Sequence, residues 1–393
     1  MSVSNGGRIA GHLSIGVLAR SYPIERIRAI LECGGFQSQR VRDLPAEVVV
    51  YYVIALGLFM AVSTGEVLRC LVEGLCWLGR GQGVRVAGKS AISQARTRLG
   101  AEPLKRLWEE TACPLASVKS PGAFYRDWRL MAIDGSTLDV PDTRENLEHF
   151  GKQNASRGAA AFPQLRFVAL VECGPHALLR AGLGAYRSSE HALAQEVIAG
   201  LKPGMLCLAD RLYATYPLWQ KALATGANLL WRARGNALLP VEQELEDGSY
   251  LSTLYPSPKA RRHGREGIVV RVIDYELQAG AHTEPFYRLL TTVLDPGQAP
   301  AAELAALYPQ RWEIEGFFDE LKTHLRGGQV VLRSKTPRLV EQEFYGLLLA
   351  HRAVRALMNE AAEREKIDPD VLSFTHALRV IRRKLANTPA LSP

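Results

Sequence analysis

The order of secondary-structure signals in the middle of the chain is what most constrains its fold. Between residues 128 and 233, short apolar runs alternate with amphipathic segments in the order strand, strand, strand, helix, strand, helix, strand. The segments are 128–134, 165–173, 176–183, 188–201, 205–210, 216–225 and 227–233. Strands interleaved with helices in this way predict an α/β fold, in which helices pack on a mixed sheet.

Helical signals flank this region on both sides. Residues 24–31, 46–62 and 65–78 carry apolar residues at helical spacing, and the helical pattern returns from residue 300 onward. The segment between these regions is instead β-rich and polar from about residue 235 to 298. We therefore predict three parts, which are an all-α N-terminal domain (1–125), an α/β domain with a β-rich insertion (126–325) and a helical C-terminal region (326–393).

A short basic helix is predicted near the end of the N-terminal part. Ser90 can cap a helix over residues 91–99, which would display Gln94, Arg96 and Arg98. A basic helix after a glycine-rich turn suits the recognition helix of a helix-turn-helix, so Arg96 and Arg98 are candidate DNA contacts. An amphipathic helix with a solvated basic face explains the pattern equally well.

The net charge is positive and unevenly distributed. The 48 Lys and Arg residues exceed the 40 Asp and Glu residues, which gives a formal net charge of +8. Residues 1–130 carry 17 basic and 10 acidic residues and residues 316–393 carry 13 and 9, whereas residues 131–315 carry 18 and 21. Basic ends around an acidic middle suit an enzyme that holds phosphates at its flanks and metal cations at its centre. Solvated surfaces of different charge are an equally good explanation.

Composition and cysteine spacing exclude several classes of protein. Hydrophobic residues make up 47% and charged residues 22% of the chain, which excludes a mostly disordered protein. The six cysteines form no C-x-x-C pair and no zinc-binding spacing, so reduced, buried thiols are expected. The longest apolar stretch, residues 48–62, is too short to span a bilayer, and the first residues lack the apolar run of a signal peptide. We therefore expect a cytoplasmic protein without a membrane partner.

Two aspartates, Asp134 and Asp210, each end a predicted buried strand. Because open α/β sheets bind ligands at the carboxyl ends of their strands, both side chains are expected at one edge of the sheet. A third acid can come from the acidic cluster in residues 311–325, which comprises Glu313, Glu315, Asp319 and Glu320. Such oxygen ligands suit Mg²⁺ and can hold two ions about 4 Å apart for phosphoryl transfer. A turn or cap role for each aspartate stays open.

Residues 308–322 match the pattern Y-x2-R-x3-E-x6-K at its four fixed positions, which are Tyr308, Arg311, Glu315 and Lys322. This pattern resembles the signature of bacterial insertion-sequence transposases of the insertion-element-four group, a branch of the RNase H-like DDE nucleotidyl transferases. The stretches IDGS at 133–136 and ADRLY at 209–213 resemble the two aspartate motifs of that family. The helical N-terminal part is also similar to the N-terminal domain of these proteins, so the resemblance covers nearly the whole chain.

The resemblance implies an RNase H-like core in which Asp134, Asp210 and Glu315 are the catalytic, metal-binding residues. It implies two Mg²⁺ ions as cofactors, with Mn²⁺ able to replace them. In hairpin-forming relatives an aromatic residue of the insertion stabilises a flipped base; the insertion of this chain has Tyr250, Tyr255, Tyr275, Phe286 and Tyr287 but no Trp between residues 232 and 311. A hairpin step is therefore left unassigned.

The signature has a physical sense if residues 308–322 form one α-helix. Tyr308, Arg311 and Lys322 would then share a face with Glu315, where they could hold phosphates of the cut DNA strand. Glu313 would point elsewhere, since two residues correspond to about 200° of rotation. A solvated stripe of charges is the alternative.

Several basic groups outside the signature are weaker candidates for DNA contacts. Arg232 and Arg234 follow a strand near the expected active edge, and residues 259–265 form a basic loop in the insertion. Arg382 and its two basic neighbours form a patch near the C-terminus. For each group, a solvated surface explains the sequence about as well.

The function that the resemblance implies is Mg²⁺-dependent cut-and-paste DNA transposition. The protein would bind the terminal inverted repeats of a mobile element, cleave the strands and join them to target DNA. Double-stranded DNA is the expected partner, a dimer assembled on DNA is the expected oligomer, and the expected location is the bacterial cytoplasm, with nucleoid association in the DNA-bound state. A catalytically inactive, transposase-derived DNA-binding protein and a two-metal DNA nuclease are the alternatives.

Overall fold

The computed structural model describes residues 16–38, 44–77, 87–155, 158–276, 286–328 and 331–383. Residues 16–21 are helical. The further α-helices are α1 (Ile24–Cys33), α2 (Ala46–Leu58), α3 (Thr64–Trp77), α4 (Lys89–Leu99), α5 (Glu102–Thr111), α6 (Arg144–Phe150), α7 (Glu190–Ile198), α8 (Tyr216–Leu223), α9 (Pro258–Arg262), α10 (Ala301–Leu307), α11 (Glu313–Asp319), α12 (Pro337–Glu365) and α13 (Phe374–Arg383). The strands are β1 (Phe124–Tyr125), β2 (Trp128–Asp139), β3 (Asn154–Ala155), β4 (Gly158–Ala159), β5 (Gln164–Glu172), β6 (Ala177–Ala185), β7 (Met205–Ala209), β8 (Asn228–Arg232), β9 (Gln243–Glu244), β10 (Tyr250–Leu254), β11 (Ile268–Glu276) and β12 (Phe286–Thr291).

Ten strands form one mixed sheet in the order β6-β5-β2-β7-β8-β12-β11-β10-β9, with β1 paired to the start of β2. The strands β2, β7 and β8 are parallel neighbours, and the other pairs of this sheet are antiparallel. The first five strands of this order come from the region in which the sequence pattern predicts strands. Three antiparallel strands followed by two parallel ones, with α7 between β6 and β7, form an RNase H-like core, so the predicted α/β fold is confirmed.

Alternate residues of the central strands face two separate hydrophobic cores, as the pleat of a strand requires. Ala132 and Phe167 belong to the core that the N- and C-terminal helices share, whereas Ile133 and Val168 belong to the core that includes residues of α7 and α8. All four residues are fully buried. Because helices cover both faces, polar groups near the centre of the sheet can reach solvent only where a strand ends.

The β-rich insertion extends this sheet and does not form a unit of its own. Strand β12 pairs with β8, with Leu290 opposite Trp231, and β11, β10 and β9 follow it outward. Val270 and Val272 of β11 belong to the same hydrophobic core as Trp231. The insertion therefore lengthens the central sheet beyond β8.

The helices of the N- and C-terminal parts pack against each other. A Cβ atom on Gly346 of α12 would lie 2.7 Å from the carbonyl oxygen of Val53 in α2, so the two helices meet closely at this glycine. The Tyr22 hydroxyl donates a 2.7 Å hydrogen bond to the carbonyl of Leu349. The two parts, which the sequence pattern separates, form one helical layer on one face of the sheet.

Two predicted boundaries were wrong. Strand β2 does not stop at Asp134 but continues to Asp139, because β5 pairs with it over this whole length. Helix α4 begins at Lys89 after Gly88, so Ser90 lies within the first turn and is not the N-cap residue.

The longest apolar stretch forms a core helix. Helix α2 has 13 residues, of which Ala46 and residues 48–58 are buried. Within the described ranges, no helix is both long and apolar enough to cross a bilayer.

The cysteines only partly follow the prediction of buried thiols. Cys173 and Cys207 are buried, whereas Cys33 and Cys113 are exposed. The side chain of Cys76 lies outside the described residues.

Candidate active site

The register of the parallel strands β2 and β7 places Asp134 beside Asp210. The last paired residues of the two strands are Ile133 and Ala209, and each aspartate is the next residue of its chain segment. Strand β7 ends at Ala209, so Asp210 begins the loop that leaves the sheet. The two aspartates are thus neighbours at the open end of β7.

Asp134 lies inside β2 and pairs with Ala169 of β5. It is the shorter strand β7, not an end of β2, that opens the space beside this side chain. The Asp134 Oδ1 atom accepts a 2.8 Å hydrogen bond from the amide of Gly135. A position within a paired strand fixes the backbone on both sides of the carboxylate, which suits a residue that must hold a ligand rigidly.

The carboxylates at this edge are only partly neutralised by protein cations. The pKa of Asp134 is raised to about 6, first by burial and then by the charges of Asp210 and Glu190, although the Gly135 amide and Arg311 act against this. The Arg311 Nη1 atom lies 3.5 Å from Asp134 Oδ2. Arg311 therefore offsets only part of the effect of burial on Asp134, and carboxylate oxygens are the ligands that hard divalent cations prefer.

The signature segment is not one regular α-helix. A 3₁₀-helix covers Tyr308–Trp312, α11 covers Glu313–Asp319 and a π-helix covers Glu320–Leu325. The rotation per residue in 3₁₀- and π-helices differs from that in an α-helix. The four signature residues therefore do not share one face in the way that regular α-helical spacing predicts. π-helical turns are frequent at functional sites.

Both ends of the signature contact the aspartate motifs. The Tyr308 hydroxyl donates a 3.2 Å hydrogen bond to the carbonyl of Ala209, directly before Asp210. The Lys322 ammonium donates a 3.1 Å hydrogen bond to Ser136 Oγ in β2. The segment therefore lies across the edge where the two aspartates meet.

Glu315 lies on this segment between Arg311 and Lys322 and is exposed. Within the part of the chain that the structure describes, it makes no ion pair. Glu313 instead points to the protein interior, where its Oε2 atom is 3.0 Å from His176 Nε2. The two acids point in different directions, as their spacing predicts.

Tyr308 and Arg311 are buried, with 4% and 7% exposure. The Tyr308 hydroxyl donates its hydrogen bond to the Ala209 carbonyl, so Tyr308 anchors the segment to β7. Contrary to expectation, Tyr308 is therefore not accessible for contact with DNA. The Arg311 Nε atom has no hydrogen-bond partner among the described residues. A buried donor without a partner costs free energy. Arg311 is therefore suited to bind an anion such as a phosphate, to which this nitrogen can donate.

The expectation that Arg96 contacts DNA is wrong. Its side chain is buried, its Nε atom donates to Gln342 Oε1 at 2.8 Å and its Nη2 atom donates to Ser334 Oγ at 2.8 Å. Arg96 therefore joins α4 to the C-terminal part of the chain. Arg98, on the opposite side of α4, is exposed and stays a candidate DNA contact.

Arg232, the last residue of β8, and Arg234, just after this strand, both lie near the open edge. The Arg232 guanidinium lies 4.0 Å from the ring centre of Tyr287 in β12. Arg234 is exposed and donates hydrogen bonds to the carbonyls of Arg211 at 3.2 Å and Leu212 at 3.1 Å. Arg234 thus supports the loop that begins at Asp210.

The remaining basic groups lie in the insertion and near the C-terminus. The basic stretch of the insertion forms a short helix, α9, which Ser257 caps by accepting a 3.1 Å hydrogen bond from the Ala260 amide. Arg382 is partly accessible, and its Nε atom donates to the carbonyl of Leu58 at 2.6 Å, so its place in a DNA-binding patch stays a prediction. The side chain of Arg383 and all of Lys384 lie outside the described residues.

Two residues at the edge are not found by the sequence patterns. Glu190 begins α7, where an acid in the first turn is an ordinary feature of helices, and yet its charge acts on Asp134. Trp312 is 55% exposed beside Arg311, whose guanidinium lies 4.6 Å from its ring centre. Trp312 could have been identified because it is a large aromatic residue inside the signature segment, directly after Arg311.

A second group of polar side chains lies on the other side of the signature segment. His176 Nε2 is 3.0 Å from Glu313 Oε2 and 3.4 Å from Asp370 Oδ1, an arrangement that resembles a set of metal ligands. The buried guanidinium of Arg355 contacts both His176 and Glu320 and lies 3.9 Å from Asp370. Arg355 places a protein cation beside this cluster, and the resulting ion network holds the signature segment.

Known proteins with similar sequences cover almost the whole chain. Residues 12–109 match the insertion element 4 transposase N-terminal family, and residues 127–352 match the transposase DDE domain family. The chain is 32% identical over 376 residues to the transposase InsG for insertion sequence element IS4 of Escherichia coli (strain K12), which covers 94% of this chain and 82% of InsG. A second protein of that strain, InsZ, is 30% identical over 217 residues, or 55% of this chain and 70% of InsZ.

A solved structure, the piggyBac transposase synaptic complex with hairpin DNA, aligns with a TM-score of 0.49 at 10% identity, over 94% of this chain and 79% of that chain. The family matches and the identity to InsG extend over both the helical N-terminal part and the sheet that carries the aspartates. The chain therefore belongs to the insertion element 4 family of metal-dependent DDE transposases.

Proposed function

We propose that this transposase carries out Mg²⁺-dependent cut-and-paste transposition, with Asp134, Asp210 and Glu315 as its catalytic, metal-binding residues. The observation that carries the proposal is the register of β2 and β7, which makes Asp134 and Asp210 neighbours beneath the segment that bears Glu315. An inactive relative would have no physical reason to keep crowded acids, because each unneutralised carboxylate destabilises the fold.

The donor set fits a hard divalent cation. Carboxylate oxygens from Asp134, Asp210 and Glu315 would hold two Mg²⁺ ions, and Mn²⁺ would replace them because it accepts the same ligands. Bound there, the ions would activate the attacking oxygen and stabilise the leaving oxygen of the phosphodiester. The raised pKa of Asp134 reflects the burial and the crowding of acids that such ions would relieve.

Three side chains of the signature segment, those of Arg311, Trp312 and Lys322, can contact the DNA strand that is cut. The buried Arg311 Nε atom has no hydrogen-bond partner among the described residues. Burial, followed by the charge of the nearby Arg326, lowers the pKa of Lys322. A phosphate bound beside Lys322 would offset this decrease in pKa. Trp312 offers an aromatic face on which a base can stack. We assign Arg311 and Lys322 to the scissile phosphates and Trp312 to a neighbouring base.

The substrate that we propose is double-stranded DNA that carries the terminal inverted repeats of the element. Arg98 is exposed on the N-terminal helical layer and Arg234 on the loop edge, where both can contact phosphates. Because the two ends of an element must be joined together, the active form would be a dimer assembled on DNA. Such an enzyme would work in the bacterial cytoplasm, on nucleoid DNA.

A cleavage assay tests the proposal directly. Purified full-length chain is incubated with Mg²⁺ and linear DNA that carries the terminal repeats, and the products are separated on denaturing gels. Asp134→Asn, Asp210→Asn and Glu315→Gln should abolish cleavage while binding to the repeats stays close to that of the wild type. Asp319→Asn, at an exposed acid of the same segment, is the matched control and should cleave normally.

The products separate the alternatives. Strand-joined molecules in addition to nicks indicate a transposase, whereas nicks alone indicate a two-metal nuclease. Binding by the wild type without any cleavage in Mg²⁺ or Mn²⁺ would indicate an inactive DNA-binding relative. Normal cleavage by any one of the three variants would remove that residue from the proposed set.

A further inference from the structure

A fourth carboxylate, that of Glu190, lies next to the proposed metal site. Its Oε2 atom is 3.1 Å from the point that a Cβ atom on Gly135 would occupy. Gly135 directly follows Asp134 in β2. Glu190 belongs neither to the three acids of the proposed set nor to the signature segment.

The two oxygens of Glu190 have different surroundings. Oε1 accepts a 2.6 Å hydrogen bond from Arg166 Nη1, whereas Oε2 accepts no hydrogen bond from the residues that the structure describes. Arg166 lies in β5, and its guanidinium is 5.0 Å from the ring centre of Tyr186, so the cation is supported on two sides. The ion pair therefore fixes one oxygen and turns the other towards Gly135.

Glycine at position 135 is what allows this approach. A Cβ atom there would also lie 3.1 Å from Glu190 Cδ and 3.4 Å from the Tyr213 hydroxyl, which leaves little room for a side chain.

We propose that Glu190 is a fourth carboxylate ligand of the divalent-cation site, with Oε2 as its ligand atom and Oε1 held by Arg166. The inference rests on the proposed function, since it adds a ligand to the same site. A purely structural ion pair between α7 and β5 would explain the contact of Oε1 but not the orientation of the second oxygen towards Gly135, the residue that follows Asp134. A fourth carboxylate supplies one more oxygen to ions that need six ligands each and retain several waters.

The test measures Mn²⁺ binding to the full-length chain without DNA, by isothermal titration calorimetry. Glu190→Gln should weaken Mn²⁺ binding by about tenfold or more, while its melting temperature in EDTA stays at or above that of the wild type. Glu196→Gln, at an exposed acid on the same helix, is the matched control and should bind Mn²⁺ like the wild type. Glu190→Asp keeps the charge but shortens the side chain by one methylene group, so it should also bind Mn²⁺ more weakly. This second variant provides the test if Glu190→Gln folds poorly.

Two further outcomes distinguish the inference from the function on which it rests. If Glu190→Gln and Glu190→Asp bind Mn²⁺ as tightly as the wild type while Asp210→Asn does not, Glu190 is only a structural partner of Arg166 and the inference is overturned. If Asp210→Asn also binds Mn²⁺ normally, the proposed metal site itself fails, whatever Glu190 does.

Discussion

The hydroxyl of Tyr308 donates a 3.2 Å hydrogen bond to the carbonyl of Ala209, the residue directly before Asp210. The first residue of the signature segment therefore holds the end of the strand that carries the second aspartate. Both residues are buried, so solvent does not compete for this bond. The bond couples the position of the Glu315 segment to that of Asp210.

Removing this hydrogen bond should impair catalysis more than DNA binding. Tyr308→Phe keeps the ring but removes the hydrogen bond to the Ala209 carbonyl, at a cost of about 1–2 kcal/mol in the free energy of unfolding. We expect the single-turnover cleavage rate to fall by about tenfold, since the two halves of the site are less firmly joined. Tyr216→Phe, which removes a more exposed tyrosine–carbonyl bond to Glu266, is the control. Wild-type cleavage by Tyr308→Phe, or a loss confined to DNA affinity, would contradict this role.

Arg96 and Arg98 lie on the same helix but should respond in opposite ways. Arg96→Met leaves Gln342 and Ser334 without their buried partner, so it should lower the free energy of unfolding by about 2–4 kcal/mol. Arg98→Ala should leave stability within about 0.5 kcal/mol. It should nevertheless weaken binding to terminal-repeat DNA and reduce the salt dependence of that binding by about one unit of slope. Urea denaturation and a salt titration of DNA binding check both variants, and a DNA defect without a stability defect in Arg96→Met would restore Arg96 as a DNA contact.

The metal-free chain should be stabilised by removing the charge of Asp134. Its pKa is raised from 3.8 to about 6, so the folded chain keeps this proton at a pH where the unfolded chain has lost it. The stability contributed by the protonated group is therefore lost as the pH rises from 3.8 through about 6. At pH 8 in EDTA, Asp134→Asn should raise the free energy of unfolding by about 1–3 kcal/mol. The gain should vanish near pH 4, and an equal gain at both pH values would mean that charge burial is not its cause.

Local patterns predicted the core sheet and the two aspartates for a simple physical reason. Strands such as β7 are short runs of buried residues bounded by turns, and the order of such runs limits the arrangements that a sheet can adopt. Because β2 and β7 are parallel, their carboxyl-terminal sides meet at one edge, which is what brings Asp134 and Asp210 together.

Contacts between distant parts of the chain are what the patterns could not show. In the sequence, Arg96 resembles a solvated residue of a basic helix, but in the fold Gln342, which is 246 residues away, binds its side chain. The pairing of β12 with β8 likewise depends on a partner that the alternation of residues does not specify. Glu190 resembles any acid at a helix start until Gly135 is seen beside it.

The ion network behind the signature segment should make stability fall at alkaline pH. Burial and the charge of Arg355 lower the pKa of His176, but its hydrogen bonds to Glu313 and Glu320 outweigh both and raise this pKa to about 9. The stabilisation by the charged imidazole is thus fully present below pH 6.5 and is lost as the pH rises through about 9. His176→Asn should cost about 1–3 kcal/mol of unfolding free energy at pH 6 and much less at pH 9.5. His324→Asn, at a more exposed histidine paired with Asp319, should change little at either pH. Urea denaturation across this range checks the effect, and parallel curves for wild type and His176→Asn would show that His176 is neutral in the folded chain.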